Sequence, residues 1–181
     1  MHIEKPLKNL RKLRKKEDDG GKMVKKIYLD SCIFIAYIDI NDNNHQNVNK
    51  FFQNVEKRND IELHSSSWAL TETIKVLLID KHMPKKKVQE FAERLLRETR
   101  LLNVKFKWLR SEDKPSYDLD EFFYLFQSKI LEKRIGTADI MHVVLMNIHN
   151  IDTIASFNDS DFKKISNIKC IIPQNIGRYK F

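Results

Sequence analysis

The chain of 181 residues is 41% hydrophobic and 32% charged, which is typical of one domain with one buried core. Its 4 glycines and 4 prolines argue against repeat arrays and low-complexity linkers, and its longest apolar run, residues 32–38, is far shorter than the ~20 residues of a membrane-spanning helix. We therefore expect a cytoplasmic protein without membrane contact, and the 2 cysteines, which form no CxxC pair, argue against disulfides and structural zinc.

The net charge of +8 is concentrated at the N-terminus. Residues 1–26 contain ten of the 33 Lys and Arg residues but only four of the 25 acids. We predict a basic extension over residues 1–24, followed by the main domain over residues 25–181. The extension is either an arm that attracts phosphates or an acidic partner groove, or a solvated tail.

Short apolar strands alternate with helices along the main domain. Its first half is predicted to contain a strand over 26–30, helices over 31–38 and 45–58, a strand over 61–65, a helix from Ser66 or Ser67 to about 81, and a charged helix over 84–102. Its second half is predicted to contain a strand over 104–109, helices over 118–134 and 137–149, a strand over 152–156, a short helix over 159–165, and a strand over 169–172. This alternation predicts a three-layer α/β/α fold with a short central parallel sheet.

Acidic residues follow the strands or lie near the helix starts. Asp30 ends the first strand, Glu72 lies in the first two turns of the helix after the second strand, and Asp139 lies in the first turn of the helix over 137–149. Asp159 and Asp161 follow the strand over 152–156. In a parallel sheet these ends gather at one edge, where ligands bind. Each acid alone could be a helix cap, but a cluster of carboxylates repels unless cations hold it together.

The order and spacing of these acids resemble those of PIN-domain nucleases over about residues 25–175. The motifs are residues 27–31 (IYLDS) before an apolar helix, Glu72 in a Ser-rich helix start, residues 137–139 (TAD) with His142 three residues later, and residues 156–162 (SFNDSDF). Small prokaryotic toxins of VapC type and stand-alone archaeal proteins are the most similar in appearance. The resemblance implies an RNA endonuclease that depends on Mg²⁺ or Mn²⁺. A toxin of this kind would form homodimers and have a cognate antitoxin protein.

The resemblance assigns the first three family acids to Asp30, Glu72 and Asp139. Asp30 and Asp139 would hold the main cation, and Glu72 would help to complete the ring. Such a cation activates water and neutralises the charge that develops on the phosphate. Two positions depart from the family pattern, because Cys32 replaces the usual Asn or Ser and Ser156 replaces a usual Thr.

The fourth acidic position stays open at this point. Aligning residues 159–162 with the common D-x-D-F ending makes Asp159 the fourth acid, and this is the alignment that we prefer. Aligning residues 156–158 with the variant T-W-N-x-x-D-F ending puts Asn158 at this position and makes Asp161 the later acid.

Other polar residues are candidates for supporting roles. Ser31 and Ser156 could orient a water molecule or a phosphate. His142 could ligate a metal or act as a base, although the preferred interpretation is a packed residue that faces the sheet. The charged helix begins with three lysines that either contact an RNA backbone or form a solvated face: Lys85, Lys86 and Lys87.

Two alternatives to the endonuclease remain. The first is a catalytically weak nucleic-acid-binding module that keeps the fold and uses its basic arm for affinity. The second is a metal-dependent phosphohydrolase that acts on a small substrate. An aspartyl-phosphate mechanism is disfavoured because Cys32 stands where a D-x-D motif has its second Asp, and the sequence contains no glycine-rich phosphate loop.

Overall fold

The computed structural model describes residues 24–110, 122–124, 126–128, 130 and 136–179. The predicted basic extension therefore lies outside the described residues, except for Val24. The predicted helix over 118–134 lies outside them in part, and its described residues are helical.

Strands and helices follow one another in the predicted order. The first half contains β1 (Lys25–Leu29), α1 (Ser31–Ile38), α2 (His45–Glu56), β2 (Ile61–Ser65), α3 (Ser67–Lys75) and α4 (Lys85–Glu98). The second half contains β3 (Arg100–Leu101), β4 (Val104–Trp108), α5 (Thr137–Ile148), β5 (Thr153–Ala155), α6 (Asp159–Phe162) and β6 (Lys169–Ile171). A π-helical turn (Val76–Asp80) continues α3, and a 3₁₀ turn (Pro173–Arg178) follows β6.

The strands form one sheet in the order β3-β4-β2-β1-β5-β6. The pairs β1–β2, β1–β5, β2–β4 and β5–β6 are all parallel. Because β1 lies between β2 and β5, Asp30, which directly follows β1, lies at the middle of the sheet. Helices cover both faces of the sheet, and the predicted three-layer α/β/α fold with a central parallel sheet is confirmed.

The edge strand β3 is an addition that the sequence did not indicate. It pairs with β4 in antiparallel fashion, because α4 ends at Glu98 rather than near residue 102. Thr99 and Leu102 have φ values of 46° and 51°, and these left-handed conformations end the helix and then reverse the chain. The helix that was predicted to end near residue 81 keeps regular α geometry only to Lys75.

Alternate residues of β1 build the two cores. Ile27 and Leu29 are fully buried in a core with side chains of α1 to α4. Tyr28, between them in sequence, is buried on the opposite face with side chains of α5. This alternation follows from the two-residue period of a strand, and it brings a buried hydroxyl to the α5 side of the sheet. Among the described residues, no helix is both long and apolar enough to cross a bilayer.

Candidate metal centre

Asp30 is fixed between the end of β1 and the start of α1. It is the N-cap residue of α1, and its Oδ1 accepts a hydrogen bond of 2.6 Å from the Ser31 backbone N–H. The Ser31 hydroxyl donates to the same oxygen at 3.3 Å. Only 4% of Asp30 is exposed, so this carboxylate is a buried charge whose partners must be accounted for.

The second oxygen of Asp30 is held by residues from two other places in the chain. Its Oδ2 accepts hydrogen bonds from the Ser156 hydroxyl at 2.6 Å and from the Cys32 thiol at 3.2 Å. Ser156 directly follows β5, and its oxygen in turn accepts from the Asn158 backbone N–H at 2.9 Å. Both serines that were predicted to orient water or phosphate therefore donate to Asp30, so their first role here is to hold the carboxylate.

Glu72 and His142 approach Asp30 from two different helices. Glu72 lies on α3, which begins after β2, and His142 lies on α5 with 1% of its surface exposed. The His142 Nε2 is 2.5 Å from Glu72 Oε2 and 3.2 Å from Asp30 Oδ1. One ligand atom from each of the three residues lies within 4.8 Å of the other two.

The imidazole of His142 is oriented from behind by Tyr28. The Tyr28 hydroxyl lies 2.9 Å from His142 Nδ1 and 2.5 Å from the Ser66 hydroxyl, which also caps α3. Burial raises the pKa of Tyr28 well above its ordinary value, so the phenol stays protonated. His142 is thus packed against the sheet, as preferred above, and it also touches two of the predicted acids.

The charge on His142 responds to these acids. Burial opposes its protonation, but the hydrogen bond to Glu72 and the charges of Asp30 and Asp139 outweigh burial and raise the pKa of His142. The shift favours the protonated form of His142, whose positive charge offsets part of the negative charge of the acids.

Asp139 is not one of the three residues whose ligand atoms lie within 4.8 Å of one another, but the charges of those three residues act on it. It lies in the first turn of α5 and is partly buried. Burial raises its pKa from 3.8 to about 6, with further contributions from the charges of Asp30, Asp161 and Glu72, against the opposing charge of His142. Since burial is the largest cause, the raised pKa reflects chiefly the cost of ionising a partly buried carboxyl group, and the neighbouring acids add to that cost.

The candidates for the fourth acid differ in their surroundings. Asp159 forms an ion pair with Lys163, and its charge acts on Cys170, whose pKa is raised chiefly by burial and next by Asp159. Asp161 forms an ion pair with Lys164 at 2.5 Å, but its charge also acts on Asp139. The charge of Asp161 thus acts on Asp139, whereas the charge of Asp159 acts, together with that of Asp30, on Cys170. Asn158 donates to Asp161 Oδ2 at 3.1 Å.

The three lysines at the start of α4 are exposed and lie away from these acids: Lys85, Lys86 and Lys87. The pKa of Asp39 is lowered chiefly by its hydrogen bond to Lys81 and, more weakly, by the charge of Lys87. Asp39 follows the last residue of α1, whereas Asp30 precedes its first residue. An eight-residue helix, about 12 Å long, therefore separates the neighbourhood of Lys87 from Asp30.

The donor set fits a small divalent cation. Asp30 and Glu72 offer carboxylate oxygens, which Mg²⁺ and Mn²⁺ both accept, and the Nε2 atom of His142 would join them only as part of a neutral imidazole. A cation at these acids would also offset the cost of ionising Asp139, whose pKa is raised by burial and by the neighbouring carboxylates. Sequence reasoning found the carboxylates but missed the bridging role of His142 and the contact with Tyr28. The spacing of Asp139 and His142, one turn apart on α5, was the available signal for His142.

Comparison with known proteins identifies a family that this chain matches over most of its length. The profile of the PIN domain family matches residues 27–168. None of the curated protein sequences matches the chain.

Three solved structures are similar over most of the chain, although each is below 20% identical. The first is Mycobacterium tuberculosis VapC20, a Sarcin-Ricin loop cleaving toxin, with 14% identity over 79% of this chain and 97% of that one and a TM-score of 0.56. The second is VapBC2 from Rickettsia felis bound to a DNA fragment from its promoter, with 15% identity over 81% of this chain and 97% of that one and a TM-score of 0.52. The third is VapBC-1 from nontypeable Haemophilus influenzae, with 17% identity over 82% of this chain and 98% of that one and a TM-score of 0.55. At these identities the similarity concerns the fold.

Proposed function

The chain belongs to the PIN domain family, and from this premise we propose that it is a divalent-metal-dependent endoribonuclease that hydrolyses RNA phosphodiester bonds. The observation that carries the proposal is the convergence of Asp30, Glu72 and His142, whose ligand atoms lie within 4.8 Å of one another. These residues come from three separate elements, and the buried Asp30 carboxylate is held in place by four hydrogen bonds. Such a preorganised acidic group suits cation binding more than stability, because clustered carboxylates repel.

Each residue has a distinct part in the proposed site. Asp30 and Asp139 would hold Mg²⁺ or Mn²⁺, and Glu72 would complete the ring of acids. When bound, the cation neutralises charge on the phosphate and activates the attacking water. We propose Asp161 rather than Asp159 as the fourth acid, on the ground of its electrostatic link to Asp139.

The surrounding residues keep the acids in place. Ser156 and Ser31 hold the two oxygens of Asp30 and so fix the orientation of the carboxylate before a cation binds. His142, held by Tyr28, keeps the Glu72 side chain directed at Asp30. We also propose that Ser31 and Ser156 orient a water molecule or a phosphate.

We also propose that the protein is the toxin of a toxin–antitoxin pair, that it forms a homodimer and that it acts in the cytoplasm. The similar structures support the toxin–antitoxin pair, because one is described as a toxin and two are VapBC structures. The basic extension over residues 1–24 and the lysines at residues 85–87 would add affinity for the RNA backbone away from the acids.

The proposal is tested by replacing one buried carboxylate. Asp30→Asn keeps the shape of the side chain and an oxygen that can cap α1, but it removes the charge that would hold the cation. We expect Mn²⁺-dependent cleavage of single-stranded RNA to fall by at least about a hundredfold, which is the scale of losing one essential group. Circular dichroism and thermal unfolding should show that the variant is folded.

Asp80→Asn serves as the matched control, because Asp80 is an exposed acid at the end of the π-helical turn. Its cleavage rate should equal that of the parent chain. If the parent chain binds RNA but does not cut it with either metal, the nuclease proposal fails and the catalytically weak binding module replaces it.

A further inference from the structure

A cavity of about 380 Å³ opens between α3 and α5 beside the acids. We call it the helix cleft, and the residues that matter here are Trp68, Glu72, Lys75, Phe126, Ala138 and Met141. Its volume lies within the range of small-ligand sites, roughly 300–1,000 Å³. Because Glu72 belongs both to the helix cleft and to the candidate metal centre, a ligand in the cleft would lie directly beside a phosphate bound at the acids.

The walls of the helix cleft suit a flat ring. Two aromatic side chains, Trp68 and Phe126, and the apolar side chains of Ala138 and Met141 make up half of its lining residues. Aromatic and thioether groups stack on nucleobases without regard to sequence, because every base has a π-face. An RNA substrate carries such a ring next to each of its phosphates.

The polar groups of the helix cleft add a preference among the bases. Lys75 is exposed and forms no ion pair with any residue that the structure describes. Its ammonium group can only donate hydrogen bonds, so it favours a base edge with adjacent acceptors. Thr71, on the same wall, donates its hydroxyl hydrogen to the Ser67 carbonyl at 2.9 Å and is left to accept.

We propose that the helix cleft binds the nucleobase next to the cleaved phosphate and selects guanine. Guanine offers the acceptors O6 and N7 on one edge, which match Lys75, and N–H donors on another edge, which match Thr71. Adenine has an amino group where guanine has O6, so it would place a donor against the ammonium group. This inference rests on the proposed nuclease function, since it uses RNA as the ligand.

Binding of short RNAs tests the inference independently of cleavage. Two fluorescent RNA hexamers, one all adenine and one with a single central guanine, are titrated with the protein in EDTA, where the metal-dependent reaction is prevented. We expect the guanine hexamer to bind about tenfold more tightly, the effect of one well-placed base contact. Lys75→Met should reduce this preference to about twofold or less, since it keeps the length of the side chain and removes the donor.

Two further variants distinguish an effect of the helix cleft on base preference from the general effect of losing a positive charge. Lys50→Met removes an exposed lysine on α2 and should leave the guanine preference unchanged. Ala138→Leu should narrow the cleft and weaken binding of the guanine hexamer, and circular dichroism checks its fold. Equal affinity of the parent chain for both hexamers would overturn the inference. A guanine preference that is unchanged in Lys75→Met would also overturn it, and so would tighter binding of a uracil hexamer than of the guanine hexamer.

The same hexamers with Mn²⁺ keep the two proposals apart. Cleavage next to guanine that becomes indiscriminate in Lys75→Met supports both proposals. Cleavage without a base preference overturns the guanine site and leaves the nuclease intact. A guanine preference in binding without cleavage supports the site while the nuclease proposal fails.

Discussion

The charge on Asp139 should destabilise the protein when no cation is bound. Burial and the neighbouring carboxylates raise its pKa from 3.8 to about 6, so the folded protein holds a proton on this group more tightly than the unfolded chain does. This stabilising contribution is present below pH 4 and is lost as the pH rises through about 6. At pH 7.5 the folded protein therefore has an ionised carboxylate in an unfavourable place.

Asp139→Asn removes that charge while keeping the size of the side chain. A pKa shift of roughly two units corresponds to about 3 kcal/mol if it acts in full. Asp139 is only partly buried, and solvent screens its neighbours, so we expect a gain of about 1–2 kcal/mol in the free energy of unfolding. For a chain of this size the melting temperature should rise by about 2–8 °C.

The assay is thermal unfolding in EDTA at pH 7.5 and at pH 4, with Asp80→Asn as control. The gain from Asp139→Asn should be present at pH 7.5 and largely vanish at pH 4, where the parent carboxyl is protonated. In saturating Mn²⁺ the order should reverse, because the parent chain gains the binding free energy of the cation. A variant that is less stable than the parent at pH 7.5 in EDTA would refute the reasoning.

Three further predictions concern the surroundings of the acids. Ser156→Ala should weaken Mn²⁺ binding by about tenfold in calorimetry, because it removes the 2.6 Å hydrogen bond that holds Asp30; unchanged affinity would contradict its positioning role. Asp161→Asn should reduce Mn²⁺-dependent RNA cleavage more than Asp159→Asn does, and the opposite order in the same assay would restore the common D-x-D-F alignment. Replacing the lysines at residues 85–87 by alanine should reduce the salt dependence of RNA binding, measured as the slope of log affinity against log salt, by about 2; an unchanged slope would mark a solvated face.

The sequence predicts most of the fold because its local signals agree. Each predicted strand and helix has its own apolar pattern and its own cap or breaker, and the described elements follow one another in the expected order. The strand β3 was not predicted because it has only two residues, which is too short for an alternating apolar and polar pattern to be recognised. The left-handed conformations of Thr99 and Leu102, which create it, occur at residue types that rarely adopt them.

The residues of the site that directly follow strands could be predicted from the sequence. Asp30 sits where a parallel sheet directs its ligand-binding residues, and Ser156 follows a neighbouring strand. The contacts of His142 with Glu72 and Tyr28 depend on how α3 and α5 pack across the sheet, which no local pattern encodes. The choice between Asp159 and Asp161 depends on which other residues their charges act on, and alignment of a short motif cannot answer it.

Crystals soaked in Mn²⁺ and measured at the manganese absorption edge test the central claim most directly. The account predicts an anomalous peak in direct contact with Asp30 and Asp139, beside Glu72. It also predicts that the peak disappears in crystals of Asp30→Asn. Full soaking with no peak at these residues, or with a peak only at exposed surface acids, would contradict the account.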